Sequence, residues 1–575
     1  MPEPLGDGYW GIEVEGLDPG TRYGYRLEGG SVLPDPASRS QPEGVHGLSE
    51  LVRPPEPGGK DRAWRGIAPD RQILYELHVG TFGRPGTFDG VARHLPYLAR
   101  LGVNALELMP VAQFPGGRNW GYDGVFPFAV QNTYGGIEGL RRLAEACHAS
   151  GFALLLDVVY NHVGPEGNNL GEFGPYFSDR NHTPWGPAVN LDGAGSDEVR
   201  RFFLESAAWL LRTGRLDGLR VDAVHAIVDP TARPFLSELT GTVRAVGREG
   251  TFPRYTIAES ALNDPRVVRP VGHGGWGFDA MWNDDFHHAL HVALTGERQR
   301  YFEDFEGTAD VRRVLTDAFA LAGRYSKYRG RRHGRPVGSL SAASFVVYDQ
   351  NHDQVGNRPL GERLARLVPF EARKLAAGLL LLSPYVPMLF MGEEYGETRP
   401  FLYFTSHGDR RVVRAVRAGR REEFAAGTGG RAVPDPQDPA TFSRSILRAS
   451  IPRGGRARAL FELYRALVRL RHRYVPTERL RPAEVGGDPD DPMTLWIHRG
   501  ARFTTPSFAV FRVGKTPGKF LPPPVPEPLV LRIDSSARSW GGPGGGSPGA
   551  IAPGRPRPIP LRPWSFLLYT RRTSG

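Results

Sequence analysis

The sequence predicts an α/β protein built on a (β/α)₈ barrel, with a small inserted subdomain after the third strand, a short N-terminal β-sandwich remnant and a C-terminal antiparallel β-sandwich. Eight apolar, strand-like runs alternate with amphipathic helical segments between residues 73 and 390, as this barrel requires. A stretch rich in Gly, Pro and Asn, residues 164–195, is too long for a simple βα loop. Short strands separated by Pro/Gly turns then follow a long helix. We therefore expect domains at 1–66, 67–476 (with 164–195 inserted) and 477–575.

The eight runs are apolar along most of their length, which is typical of parallel strands buried on both faces. They are Ile73–Val79, Val103–Met109, Ala153–Val159, Leu219–Ala223, Tyr255–Glu259, Phe278–Trp282, Phe345–Asp349 and Val386–Phe390. A long helix over Ala457–His472 closes the barrel, and Pro54–Gly59 is typical of a linker.

Composition excludes several classes of protein. The net charge of +10 comes from scattered arginines with no basic helix interleaved with aromatics, so we expect a solvated surface and no nucleic-acid partner. Cys147 is the only cysteine, which excludes an intrachain disulfide framework and favours a reducing compartment. The chain has no signal-peptide pattern at its start and no run of about 18 apolar residues, so we expect a cytoplasmic protein without a membrane partner.

The fourth run carries the first sign of chemistry. Its alternation places Arg220 and Asp222 on one face of the strand. A neighbouring cation keeps a carboxylate ionised, which a carboxylate nucleophile needs. A satisfied ion pair in a core would give the same pattern, so this run alone leaves both interpretations open.

Polar side chains also follow the ends of the other runs, namely Asp157, Asn161, His162, Glu259, His352 and Asp353. The carboxyl ends of barrel strands form the catalytic face. Clustering so many carboxylates there lowers stability because like charges repel, so a purely structural role is disfavoured. Neighbouring strands lie about 4.8 Å apart, so Asp222 and Glu259 should have the separation of about 5–5.5 Å seen in retaining glycosidases. We expect Asp222 to attack the anomeric carbon, Glu259 to act as acid and then base, and Asp353 with His352 to stabilise the transition state.

Aromatic side chains belong in such a site because the C–H face of a sugar stacks on them. The segment Trp120–Asp123 follows strand two and is the best candidate platform. Trp185 and Trp276 are weaker candidates, and core packing is favoured for Trp282, which lies within strand six.

Four segments together resemble the four motif regions of the α-amylase superfamily, glycoside hydrolase family thirteen. They are Asp157–His162, Gly218–His225, Ile257–Ser260 and Gln350–Gln354, in that order on the expected strands. The resemblance implies Asp222 as nucleophile, Glu259 as acid/base and Asp353 as transition-state stabiliser. It also implies sugar contacts next to the scissile bond from Tyr122, His162, Arg220 and His352.

A narrower set of segments looks like the malto-oligosyltrehalose trehalohydrolase subfamily, namely Asp35–Arg39, Pro42–Gly47, Tyr160–Asn168, Thr183–Gly186, Trp282–His288 and Val433–Gln437. That likeness implies an α-glucan substrate ending in trehalose, cleavage of the α-1,4 bond beside the trehalose, and functional pairing with an enzyme that forms this substrate. It also implies contacts on the trehalose side from the loop after strand six, including Asp284, Asp285 and His288. Asn161 lies where many amylases bind a structural Ca²⁺. The subfamily generally works without that ion, so we expect no metal and no cofactor.

Two other functions stay open on the residues alone. A glucan branching enzyme or other transglycosylase would use the same covalent intermediate and pass the glycosyl group to a sugar hydroxyl. A catalytically silent glucan-binding scaffold would not need the intact set of Asp222, Glu259 and Asp353. Relatives also carry a fuller N-terminal sandwich, so we expect either a shortened domain or a start further upstream.

Overall fold

The fold is a closed barrel of eight parallel strands in a computed structural model that describes residues 3–6, 8–53, 63–183, 186–424, 432–448, 450–474, 484–500, 506–554 and 556–571. The strands are β1 (Leu74–Leu77), β2 (Ala105–Leu108), β3 (Ala153–Val158), β4 (Gly218–Val221), β5 (Tyr255–Ala258), β6 (Ala280–Trp282), β7 (Phe345–Val347) and β8 (Val386–Phe390). Each strand pairs with the next, and β8 pairs with β1. All eight predicted runs are therefore confirmed as barrel strands.

The prediction for β4 was wrong at its end. The strand stops at Val221, and Ala223 adopts a left-handed conformation with φ of 37°. A non-glycine residue is strained in that region by about 1–2 kcal/mol. The register is what matters for the site: Asp157 on β3 lies opposite Arg220, which in turn lies opposite Ile257 on β5.

Helices surround the barrel and follow most of its strands. They span Phe88–Ala92, Leu95–Leu101, Gly136–Ala149, Leu170–Phe173, Ser196–Thr213, Phe235–Glu249, Asp284–Thr295, Thr308–Asp317, His352–Gly356, Leu364–Leu367, Phe370–Leu382, Arg410–Glu423, Pro439–Ser445 and Gly455–Tyr474. The last confirms the predicted closing helix. The fifth unit differs from the ideal repeat, because β5 and β6 are joined by 3₁₀ turns at Pro265–Val267 and Val271–His273. Among the described residues, no helix combines the length and apolarity needed to cross a bilayer.

The described N-terminal residues form three antiparallel pairs of short strands. The pairs are Glu3–Gly6 with Tyr9–Gly11, Arg22–Tyr23 with Ser49–Glu50, and Tyr25–Arg26 with Val32–Leu33. Another pair, Phe177–Thr183 with Gly186–Val189, lies in the inserted segment. The predicted linker 54–59 and the candidate Trp185 lie outside the described residues.

The C-terminal region forms a six-stranded antiparallel sheet faced by a two-stranded one. The large sheet contains Glu484–Asp488, Asp491–Arg499, Ser507–Arg512, Ser565–Arg571, Leu529–Asp534 and Ala550–Ile551, and the small one Gly518–Phe520 and Ile559–Leu561. Phe508 and Leu567 from the large sheet bury with Phe520 and Ile559 from the small one. Such face-to-face packing is that of a sandwich. The boundary at 476/477 lies outside the described residues, and the domain limits stay a prediction.

Two further hairpin-like pairs lie in the loops at the barrel mouth. Ala112–Gln113 pairs with Phe126–Val130 in the connection after β2, and Arg324–Ser326 pairs with Arg331–His333 in the connection after β6. The barrel interior is filled mainly by apolar side chains, including Leu74, Ala105, Leu155, Ile257 and Met388.

Candidate active site

Arg220 lies at the centre of the site. Its side chain is fully buried, and its Nη1 donates to Asp157 Oδ2 at 2.6 Å and to Asp222 Oδ1 at 2.9 Å. Its Nη2 lies 2.9 Å from Glu259 Oε2, and the indole of Trp282 packs under the guanidinium at 4.1 Å. A planar guanidinium orients carboxylates better than a point charge does. One guanidinium therefore aligns three carboxylates from three adjacent strands.

Asp222 is held at both oxygens. Arg220 donates to Oδ1, while the Asn161 amide donates to Oδ2 at 2.7 Å and to the Asp222 carbonyl at 3.0 Å. Hydrogen bonds at both oxygens fix the plane in which the carboxylate lies. Asn161, expected at a possible calcium position, thus orients the carboxylate that we expect to be the nucleophile.

Glu259 is positioned by a hydrogen bond from a residue with a strained backbone conformation. The left-handed Ala223 points its N–H at Glu259 Oε2 at 2.8 Å. The Glu259 side chain keeps about a fifth of its surface exposed. Because Asp222 and Glu259 bind the two ends of the Arg220 guanidinium, their carboxyl groups are held side by side, as a retaining glycosidase requires.

His352 and Asp353 begin a short helix after β7, capped by the Asn351 side chain. Glu76 on β1 accepts from the His352 backbone N–H at 3.0 Å and lies 2.5 Å from its Nδ1. Burial lowers the pKa of His352, but Asp353 and Glu76 outweigh it and raise that pKa to about 9. His352 is therefore an imidazolium at neutral pH, and its Nε2 lies 3.4 Å from Asp353 Oδ2.

Two more carboxylates lie beneath this layer. Glu107 on β2 lies opposite Glu76 in the strand register, and its Oε2 is buried without a hydrogen-bond partner. Burial, and after it the nearby Glu76, raise the pKa of Glu107 well above its usual range, which favours its protonated form. Burial raises the pKa of Asp157 to about 7 despite Arg220. Burial therefore opposes negative charge at both of these carboxyl groups.

Of the expected sugar contacts, Tyr122 lies in the site. Its ring stacks on His352 with centroids 5.2 Å apart, and its hydroxyl lies 2.6 Å from Asp157 Oδ2 and 2.8 Å from His352 Nε2. His162 lies behind it, with Nε2 2.9 Å from the Tyr122 carbonyl and Nδ1 against the Asn161 amide oxygen. In this arrangement His162 supports Tyr122.

The structure corrects the prediction for Trp120. That side chain is buried, stacks on Phe401 and donates its indole N–H to the Leu402 carbonyl, so it packs in the core and offers no sugar platform. Trp282 is buried, as expected. Trp276 is partly buried, with Arg266 over its ring.

The three residues expected on the trehalose side differ in burial and in the groups that they contact. Asp284 is partly buried at the mouth, accepts from the Tyr348 hydroxyl at 2.5 Å, and has its pKa raised to about 6 by burial and by the charges of Glu259 and Asp353. Asp285 is buried, and its Oδ2 accepts from the Leu321 N–H at 2.7 Å and the Asn263 amide at 3.0 Å. These bonds fix the Asp285 side chain against the loop that contains Leu321.

His288 is also a supporting residue. It is buried under Tyr301, with the two rings stacked at 4.4 Å, and its Nδ1 lies 3.0 Å from His287 Nδ1. Burial lowers the pKa of both histidines well below the usual range, so both are neutral. These contacts favour supporting roles for Asp285 and His288, and their direct sugar contacts stay a prediction.

Sequence reasoning missed Glu76 and Glu107 as members of the site. A signal was present, because each is the single charged residue of an otherwise apolar barrel strand. Such a residue either faces the barrel interior or leaves a buried charge unpaired. Within the described residues, no group of three or more His, Cys, Asp or Glu side chains is arranged to hold a metal ion.

Comparisons with known proteins agree with this geometry. The α-amylase catalytic-domain family matches residues 31–177. A malto-oligosyltrehalose trehalohydrolase from Saccharolobus solfataricus is 48% identical over 467 residues, covering 81% of this chain and 80% of that protein. Another enzyme of the same name, from Rhizobium sp. strain M-11, is 45% identical over 492 residues, 85% of this chain and 83% of that protein. A crystal structure assigned as an α-amylase from Salmonella typhimurium superimposes with a TM-score of 0.87 at 36% identity, covering 99% of this chain and 94% of that chain.

Proposed function

Because the chain belongs to the malto-oligosyltrehalose trehalohydrolase family of the α-amylase superfamily, we propose that it hydrolyses the α-1,4 bond next to the terminal trehalose of malto-oligosyltrehalose. The products are free trehalose and a malto-oligosaccharide. The observation that carries the catalytic assignment is the Arg220 guanidinium, which holds Asp222 and Glu259 side by side at the mouth of the barrel. The residue roles below are our proposal.

In the first step Asp222 attacks the anomeric carbon of the glucose next to trehalose. Arg220 and Asn161 hold both of its oxygens, so the attacking lone pair has a fixed direction. Glu259 donates its proton to the glycosidic oxygen, and trehalose leaves as the neutral alcohol. A covalent glycosyl-enzyme ester on Asp222 remains.

In the second step Glu259 acts as the base. It removes a proton from water, the water oxygen attacks the anomeric carbon, and the ester bond to Asp222 breaks. Two inversions at one carbon give net retention of the α configuration. Glu259 recovers its proton and Asp222 its charge, which closes the cycle.

The groups around His352 stabilise the positive charge that develops on the sugar. We assign Asp353 to the oxocarbenium-like transition state, and His352 and Tyr122 to the sugar hydroxyls beside it. The charged His352 is a strong donor to a hydroxyl oxygen. His162 positions Tyr122 through its carbonyl. On the other side of the scissile bond, Asp284 is the carboxylate available to the trehalose.

A product assay on two substrates tests the activity. One substrate is a malto-oligosaccharide with a reducing glucose, and the other is the same chain ending in trehalose. We expect rapid release of trehalose from the second and little cleavage of the first, and NMR should show the new reducing end in the α configuration. Equal cleavage of both would indicate a general α-1,4-glucan hydrolase, longer branched products a transferase, and a β product an inverting mechanism.

The chemistry of the substrate indicates which reaction must come before this one. A malto-oligosyltrehalose must first be made by an enzyme that converts the reducing end of an α-glucan into a trehalose unit. We propose functional pairing with such an enzyme. The single cysteine, Cys147, is buried and unpaired, which supports a cytoplasmic location as a further proposal.

A further inference from the structure

A β-hairpin at the barrel mouth presents two exposed tyrosines that the mechanism does not use. Its strands are Arg324–Ser326 and Arg331–His333, in the connection between β6 and β7. Tyr325 is 60% exposed and Tyr328, in the turn, is 47% exposed. Isolated exposed aromatics are common on protein surfaces, so exposure alone assigns no role.

The turn that carries Tyr328 is built around one buried carboxylate. Asp304, whose side chain has no exposed surface, accepts from the Ser326 hydroxyl and the Lys327 N–H at 2.5 Å each. It also accepts from the Tyr328 N–H at 3.4 Å. The backbone under Tyr328 is therefore fixed, and its ring can bind a ligand at a smaller cost in conformational entropy.

Tyr328 is connected to the catalytic centre through Tyr301. The two rings meet edge to face at 6.1 Å, and the Tyr301 hydroxyl donates to the amide oxygen of Gln354 at 3.3 Å. Gln354 follows Asp353 in the chain, and its amide nitrogen lies 3.5 Å from Asp284 Oδ1. Tyr328 thus belongs to the same wall of the cleft as Asp284.

The far end of the hairpin contacts the loop that follows the acid/base residue. The Arg335 N–H donates to the Asn263 carbonyl at 3.0 Å, and Asn263 lies four residues after Glu259. Because Glu259 protonates the leaving oxygen, the leaving group lies on the Glu259 side of the scissile bond. The hairpin is therefore placed on the leaving-group side.

We infer that Tyr328, supported by Tyr301, is a stacking platform for the trehalose leaving group; this inference rests on the proposed function. A pyranose has an apolar C–H face that packs on an aromatic ring, and its hydroxyls accept hydrogen bonds from cationic donors. Arg329 supplies such a donor, with its guanidinium 5.8 Å from the centre of the Tyr328 ring. The platform therefore fits a neutral disaccharide leaving group.

Three variants test the platform. Tyr328→Ala removes the ring, Tyr328→Phe keeps it, and Tyr325→Ala is the matched control. Tyr325 lies on the face of its strand opposite Ser326, whose hydroxyl points to Asp304. Steady-state kinetics would give kcat, the KM for malto-oligosyltrehalose and the Ki of added trehalose for each.

We expect Tyr328→Ala to raise KM and Ki about five- to tenfold while kcat changes less than about twofold, since one aromatic contact contributes roughly this much binding. Tyr328→Phe and Tyr325→Ala should stay within about twofold of wild type. Unchanged KM and Ki in Tyr328→Ala would overturn the inference, as would equal losses in Tyr328→Phe. Tyr328→Leu, which keeps apolar volume without a flat ring, replaces the alanine variant if that variant does not fold.

A binding experiment separates failure of the platform from failure of the proposed function. Calorimetric titration of trehalose into Asp222→Asn, with and without Tyr328→Ala, measures the platform without turnover. Weaker binding in the double variant supports it, and equal binding overturns it. If wild-type enzyme releases no trehalose in the product assay, the proposed function itself has failed, whatever the titration gives.

Discussion

The two sides of the cleft are built on different principles. We call Glu76, Asp157, Arg220, Asp222, Glu259 and His352 the charged floor. We call the helix Asp284–Thr295, the turn Arg300–Asp304 and the hairpin Arg324–His333 the strand-six wall. In the floor, barrel strands and the loops directly after them carry ionisable groups that bond to one another. In the wall, long connections carry stacked aromatic and neutral histidine rings, with Asp284 at the edge. A charged floor built on barrel strands suits bond cleavage, and a wall built from loops suits selection of one leaving group.

The largest expected effect comes from replacing Asp222, the proposed nucleophile of the floor. Asp222→Asn keeps the shape and an oxygen for Arg220 but cannot form the glycosyl ester, so kcat should fall at least about 10⁴-fold. The melting temperature should change by only a few degrees. Turnover of malto-oligosyltrehalose and thermal unfolding measure both, with Asp490→Asn at an exposed turn of the C-terminal sheet as control. Turnover near the wild-type rate would refute the nucleophile assignment.

A smaller effect should follow from removing the anion beneath His352. Glu76→Gln removes the anion that contacts Nδ1 of the buried imidazolium and leaves only the more distant Asp353, which should lower the free energy of unfolding by about 3 kcal/mol at pH 6. The folded pKa of His352 is raised to about 9, so the pair's contribution is complete below the ordinary histidine pKa of about 6.5 and is lost as pH rises through about 9. The difference between variant and wild type should therefore shrink at pH 10.

Activity gives a second readout of the same variant. With its pKa lowered toward the ordinary value, His352 loses its charge at lower pH, and the alkaline limb of kcat/KM should move down by about one to two pH units. A stability difference that is equal at pH 6 and pH 10, with an unmoved alkaline limb, would show that Glu76 does not hold His352 as a cation.

Two adjacent aspartates of the strand-six wall are expected to have different roles, Asp284 in contacting the substrate and Asp285 in supporting the structure. Asp284→Asn should raise the KM for malto-oligosyltrehalose about tenfold through loss of one charged hydrogen bond to the leaving group, with little change in stability. Asp285→Ala should instead lower the free energy of unfolding by about 2–3 kcal/mol, because the Leu321 N–H and the Asn263 amide lose their acceptor. Steady-state kinetics and denaturant unfolding of both variants check this. The reverse pattern would place Asp285 at the sugar.

The smallest effect should come from Glu107→Gln. Burial raises the pKa of Glu107 and favours its protonated form. Glutamine is a neutral side chain of the same shape, so stability should change by less than about 1 kcal/mol and the pH profile should not move. Glu76→Gln is its matched control, because the two glutamates face each other across β1 and β2. Equal losses from both substitutions would mean that Glu107 is also charged.

The sequence predicted most residue positions in the charged floor but not those in the strand-six wall. Apolar runs and the polar residues at their ends located Asp222, Glu259 and Asp353, since barrel topology brings the carboxyl ends of all strands together. The position of a residue in a long connection depends on how that connection packs. Asp284 and Asp285 are neighbours in sequence, yet one lies at the mouth and the other is buried. The prediction of Trp120 as a sugar platform was wrong for the same reason. The packing of its connection turns the indole into the core against Phe401.

By itself the sequence determined the eight strands, their order and the candidate catalytic carboxylates, because strand periodicity and the position of a residue at a strand end are local properties. The tertiary structure decided how those carboxylates are charged and aimed. Glu76 and Glu107 occupy equivalent positions on adjacent strands, but only Glu76 binds His352. The left-handed Ala223 that points its N–H at Glu259 persists because the surrounding barrel holds it, a constraint that no local pattern encodes.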